Sequence, residues 1–204
     1  MAMFNSLLGF RQNLTSTREL ASLHDYLLAH VKAPMTFEDL LRFQIVYSVS
    51  AFDKLIHDLV RIGMVDIFIG KRPSTAKYLA ERISMTAYAA LSAATIPPKE
   101  YYFEQEVINK LKTVAYQSPE NVADGLSYIW EEKYKWQKIA AELGSTDDAA
   151  RTQLRLIVDR RNKIVHEADV DIATGVKFAI SKTDCETTVS FLEACGEAIV
   201  KLVA

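Results

Sequence analysis

The sequence predicts an all-α bundle, and three observations carry that prediction. Apolar residues recur every three or four positions along most of the chain. Glycine and proline are scarce, at 7 and 5 residues in 204, which favours long helices over a turn-rich sheet protein. The few breakers are also grouped, so they punctuate helices rather than strands. Half of the residues are apolar and a quarter charged, the balance of an ordinary globular chain. A chain of this length can bury its core as one domain, residues 1–204, without staples. The expected architecture is a bundle of about six to seven helices.

In chain order, residues 4–31 carry Leu7, Leu14, Leu20, Leu23, Leu27 and Val31, mostly at helical spacing. Pro34 ends this helix, and "TFED" (Thr36 to Asp39) offers an N-cap with acidic residues in the following turn. A second helix runs to Phe68, closed by the Gly70–Pro73 stretch. Ser74 opens a shorter, Ala-rich helix to residue 93, and "TIPPKE" is the clearest breaker in the chain. Lys99 to Gln117 reads as helix, and Ser118–Pro119 caps and opens another that reaches Leu143. Gly144 stops it, and Ser145 or Thr146 caps the next, with Asp147 and Asp148 in its first turn. After Asp169 a loop containing Gly175 leads to "TDCE", a capping box for a final helix over 183–203. Only the segment around 170–180 leaves room for short strands.

The formal net charge of −2 excludes a protein coated in basic surface, so any nucleic-acid contact must come from a local patch. Cys185 and Cys195 lie ten apart with no CxxC and no histidine cluster beside them. They read as small apolar residues of the terminal helix, and a reducing cytoplasm fits. The opening "MAMFNSLLGFRQNLTSTREL" has neither a basic n-region nor a small-residue cleavage pattern. The longest apolar region, "FQIVYSVSAFDKLIHDLVRIGMVDIFIG", is broken by Asp53, Lys54, His57, Asp58, Arg61 and Asp66. It reads as a core helix, not a membrane span. The aromatic stretch "YIWEEKYKW" (Tyr128, Trp130, Tyr134, Trp136) reads as core packing before base stacking.

One stretch stands apart. "DRRNKIVHEAD", residues 159–169, sets two arginines, an asparagine and a histidine within seven consecutive positions. At about 100° of rotation per residue, with Leu154 at zero, Ile157, Val158, Ile164 and Val165 form one apolar stripe between about 280° and about 40°. Arg161 falls inside it at about 340°, and Arg160 on one shoulder at about 240°. Arg151, Asn162, Arg155, His166 and Asp159 spread over the other side. A guanidinium on an apolar stripe needs a carboxylate, backbone carbonyls or an anionic ligand. An internal salt bridge and an anion site both remain open readings.

Asn162 and His166 are one turn apart and share a face. Phosphoryl transfer within RNA could use this set. A neutral histidine takes the proton of a ribose 2′-OH, and an arginine holds the phosphate oxygens and the charge of the transition state. The asparagine fixes the imidazole or hydrogen-bonds the substrate. The chain shows no HExxH, no carboxylate cluster at ligand spacing, no Gly-rich phosphate loop and no GxSxG elbow, so neither metal nor cofactor is expected. Arg161 and His166, five apart, are separated by about 140° on a straight helix. Either the helix distorts near His166, or a second copy completes the site across a two-fold axis.

"RNKIVH" (161–166) resembles the Arg-x4–6-His signature of the HEPN superfamily, with Asn162 matching the polar residue that follows the arginine. Arg160 fits the looser spacing. More narrowly, "RRNKIVHEADVD" (160–171) and "SVSAFDKLIHDLV" (48–60) resemble the RiboL-PSP-HEPN group over most of the chain. That resemblance implies a helical bundle, usually a homodimer with facing motif helices. It implies a metal-independent endoribonuclease leaving a 2′,3′-cyclic phosphate, with roles in toxin–antitoxin or anti-phage systems and an antitoxin protein as a partner. Some members are non-catalytic RNA- or protein-binding modules, which is the alternative here. The expected catalytic set is Arg161, Asn162 and His166, supported by Arg160, Asp159 and the i, i+4 pair Asp53 and His57. Arg151, Arg155 and Lys163 offer an RNA-backbone contact surface.

Overall fold

The computed structural model describes residues 1–204 and contains nine helices: α1 (Ala2–His30), α2 (Asp39–Phe68), α3 (Ala76–Leu79), α4 (Met85–Ala93), α5 (Lys99–Leu111), α6 (Pro119–Leu126), α7 (Lys135–Glu142), α8 (Asp147–His166) and α9 (Lys182–Val203). The one β feature is an isolated antiparallel bridge between Val170 and Lys177. No helix is long and apolar enough to cross a membrane.

The long α1 and α2 form a hairpin, and α2 is the axis of the bundle, packing against α1, α5, α6, α8 and α9. Its apolar run explains that position. Phe52, Leu55, Ile56, Leu59 and Val60 are all essentially inaccessible to solvent, so α2 is wet on one narrow face only. Where α1, α2 and α9 converge, Gly196 makes the approach possible: a Cβ there would sit 2.5 Å from the Phe10 ring and 2.9 Å from Leu55. The main cluster of 34 buried residues draws on α1, α2, α5 to α9 and the segments between them.

The expected seven helices become nine because two of them divide. The 74–93 helix breaks into α3 and α4, capped by the side chains of Thr75 and Ser84 rather than by Ser74. Glu81, in the break, is drawn to the Tyr128 hydroxyl and to Lys110. The 118–143 helix breaks into α6 and α7 because its carbonyls find other donors. The Thr75 hydroxyl donates to the Ser127 carbonyl (2.9 Å) and the Arg72 guanidinium to that of Ile129 (2.9 Å). Long-range hydrogen bonds here outweigh local propensity, which no periodicity argument sees.

Smaller differences have similar causes. α2 starts on Glu38 without a side-chain cap, because Phe37 (φ 54) turns the chain in the left-handed region, so Thr36 is not the cap. α5 ends at Leu111, and α9 is capped by Ser181, whose hydroxyl accepts from the Asp184 amide. The Ser118 cap and the stop at Gly144 (φ 63) stand as expected. Tyr128 and Trp136 are core residues, whereas Tyr134 is exposed. Both cysteines are free and buried, and burial pushes each thiol up to about 12.

Candidate active site

α8 is laid down by Gly144, which ends α7, and by Thr146, whose hydroxyl accepts from the Ala149 amide (3.3 Å). Asp147 and Asp148 then face the positive end of the helix dipole. The first three turns are embedded: Ala150, Leu154 and Ile157 are buried. On their outer side Arg151 and Arg155 both reach Glu120 in the first turn of α6, with Arg151 at 2.9 Å. The two guanidinium groups, Arg155 foremost, hold the Glu120 carboxyl down at about 2. The stretch expected to contact RNA backbone is thus partly engaged within the molecule.

Beyond Val158 the helix emerges. None of residues 159–166 is fully buried, and Asp159, Lys163, Val165 and His166 are exposed. Val165, placed on the apolar stripe by periodicity, is 45% exposed, so the stripe fades over the last turn. Ile164 keeps the tip in contact with the bundle by packing on the small cluster of Ala21, Leu41, Ile45 and Cys185.

The two adjacent arginines have different surroundings. Arg160 donates to the Asp169 carboxylate (2.8 Å) and to the Ala179 carbonyl (3.0 Å), with its guanidinium over the Phe178 ring. Arg161 donates only to the Asn162 side-chain oxygen (3.0 Å), and its Nε is buried with no partner. The helical wheel leaves an internal salt bridge and an anion site open for Arg161; the structure gives it no carboxylate partner, and the buried carboxylate nearby serves Arg160. Arg161 instead leans toward Asn162, and so toward the face that Asn162 shares with His166. His166 is the last helical residue and makes no side-chain hydrogen bond within the chain.

Two residues of this region escape sequence reasoning. Asp169, fully buried, also accepts from Arg42 of α2 (2.7 Å), and Arg42, 4% exposed, donates on to the Phe178 carbonyl (2.7 Å). An aspartate three residues past the helix gives no periodic signal. The one available hint is that an arginine within a helix as apolar as α2 needs an anion.

Asp53 and His57 lie elsewhere. Asp53 accepts from the Tyr116 amide and His57 meets the Val114 carbonyl (3.0 Å), so together they pin the chain between α5 and α6. They are 3.9 Å apart, and Arg42, which does meet the motif region, lies eleven residues, or about 16 Å, away along α2. The structure therefore does not bring them to the motif. Asp159, Arg160, Asn162 and Lys163 line an open hollow of about 410 Å³ with Leu156 and Glu167. No group of three or more His, Cys, Asp or Glu side chains is placed to hold a metal ion.

The all-α bundle is the fold of a HEPN domain. The RiboL-PSP-HEPN family model matches residues 11–204, and the chain belongs to that family. No curated protein and no solved structure shows a significant match.

Proposed function

We propose that this protein is a metal-independent endoribonuclease, with His166 as the general acid–base and Arg161 as the phosphate ligand. The observation that carries the reading is the contrast at the tip of α8. Half-buried Arg161 is hydrogen-bonded only to a neutral asparagine and exposed His166 is free of any protein partner, whereas the neighbouring Arg160 is tied through Nη2 to a buried carboxylate. In the reaction, the imidazole takes the proton of a ribose 2′-OH, the 2′ oxygen bonds to phosphorus, and the bond from phosphorus to the 5′ oxygen breaks. The leaving 5′ oxygen takes a proton and the product is a 2′,3′-cyclic phosphate. Arg161 neutralises the charge that builds on the phosphate oxygens.

The working form is a homodimer with a composite site, because Arg161 and His166 of one helix diverge. Apolar side chains around the motif support it: Leu156, Ile172 and Val176 are 60%, 94% and 64% exposed in the single chain. A toxin or anti-phage role in the cytoplasm, restrained by an antitoxin protein, is consistent with the family. The second reading is a non-catalytic RNA- or protein-binding module. It draws on the fact that neither Arg161 nor His166 lines the hollow beside the motif.

Incubation of the purified protein with mixed-sequence RNA in EDTA tests both. The nuclease reading expects cyclic-phosphate ends from the wild type and none from His166→Ala or Arg161→Ala. Cleavage that survives both substitutions removes these residues from the mechanism. RNA binding by the wild type without cleavage selects the module.

A further inference from the structure

We propose that Asp169 is the positioning residue of this site, sorting the two adjacent arginines and holding the tip of α8 from behind. The proposal rests on the nuclease reading. Its basis is a knot of contacts just past His166. Glu167 and Asp169 both donate their amides to the Lys163 carbonyl (3.0 and 2.9 Å), and Ala168 and Asp169 take left-handed backbone angles (φ 52 and 59). Neither is glycine, so the sharp reversal is imposed by its contacts rather than by local preference. The Asp169 carboxylate fills that role. One oxygen, Oδ2, accepts from both Arg160 Nη2 and Arg42 Nε, while the Asp169 carbonyl accepts from the Phe178 amide (2.8 Å).

Two consequences follow for the chemistry. Arg160 cannot turn to a phosphate without abandoning a carboxylate that has no exposure to water, a costly exchange for a buried anion. Arg161 has no carboxylate partner, so its guanidinium can turn to a phosphate without leaving a buried anion unpaired, whereas Arg160, held through Nη2, cannot. The same knot sets the direction in which α8 ends, and His166 sits on that last turn. Arg42 makes the idea separable from direct RNA contact. It is 4% exposed and belongs to another helix, so any effect of Arg42 on the reaction must pass through its buried partners, the Asp169 carboxylate and the Phe178 carbonyl, rather than through RNA.

The test compares cleavage of a defined RNA by wild type, Asp169→Asn, Arg160→Met, Arg42→Lys and the Asp169→Asn/Arg160→Met pair. Each is assayed well below its own melting temperature, with maximum rate and KM separated. Asp169→Asn is expected to lower the maximum rate by about 10-fold or more, with KM changed by less than about 2-fold. Arg42→Lys lowers it by about 3-fold in the same way, and Arg160→Met adds nothing once Asp169 is replaced. Full maximum rates in folded Asp169→Asn and Arg42→Lys overturn the proposal, as does an Arg160→Met variant that raises KM while Asp169→Asn is neutral. Should Asp169→Asn not fold, Arg42→Lys carries the decision.

Failure of the nuclease reading shows up separately, as a wild type that cleaves no RNA. The knot is then read from the ring signals of the four histidines by NMR. Movement of the His166 signal alone in Arg42→Lys supports the positioning role, and an unmoved His166 signal overturns it.

Discussion

The two halves of α8 belong to one continuous helix yet obey different rules. In the first, Ala150, Leu154 and Ile157 are buried and the partly exposed Arg151 and Arg155 share Glu120. In the second, no residue is fully buried, and the helix is retained by Ile164 and by the carboxylate that follows it. The contrast teaches where stability and chemistry reside. Most residues that secure the helix lie in its first half, and the residues proposed to meet RNA lie in its second, which keeps most of the fold's stability away from the exposed tip.

Substitutions along α8 sharpen or break that division. The largest expected effect is that of His166→Ala: a loss of about 100- to 10,000-fold in RNA cleavage, with a melting temperature within about 2 °C of wild type, since the side chain touches little. A calorimetric melt beside the cleavage assay checks both parts. Leu154→Ala should do the reverse. It removes a side chain with no solvent exposure and costs about 3 kcal/mol of stability, while cleavage per folded molecule stays near wild type. Denaturant titration measures the first, and an active-fraction assay the second. If Leu154→Ala instead silences folded protein, the two halves are not separable.

Smaller effects belong to the Glu120 contacts. Replacing Arg151 and Arg155 with Gln should cost less than about 1 kcal/mol, because the ion pairs are half-exposed. If these arginines also meet RNA, the apparent KM rises and becomes less sensitive to salt. The smallest effect is on acid stability. The Glu120 carboxyl, normally near 4.5, is held down at about 2 in the folded chain. A folded-state value below the unfolded one gives stability that is present above pH 4.5 and lost as pH falls toward 2. Glu120→Gln should flatten the acid limb of the stability curve, read by thermal melts across that range.

Much of this was legible in the sequence because helices leave a periodic imprint. The span of α1, the end of α2 at Phe68, the Ser118 cap and the start of α8 follow from local rules, whereas α8 ends at His166, before the loop expected after Asp169. The divisions of 74–93 and 118–143 do not, since they depend on Thr75, Arg72 and Glu81 meeting residues tens of positions away. At the site, the residue types and the shared face of Asn162 and His166 were readable from spacing. The different surroundings of Arg160 and Arg161 were not. A helical wheel treats a helix as a cylinder facing neighbours, whereas the deciding carboxylate arrives from the chain that folds back over the helix end. Asp53 and His57 show the converse: they satisfy i, i+4 spacing, yet they pin a loop on another part of the molecule.

The knot after His166 has a consequence for how the molecule meets heat. α8 is built like a beam set in masonry at its root and held by two light stays at its free end, Ile164 and the Asp169 carboxylate. Warming is expected to slacken the stays before it disturbs the masonry, so that the tip frays while the core remains a folded bundle. On the proposed nuclease reading, inactivation and melting then fall at two separate temperatures, with the Asp169 carboxylate helping to set the gap.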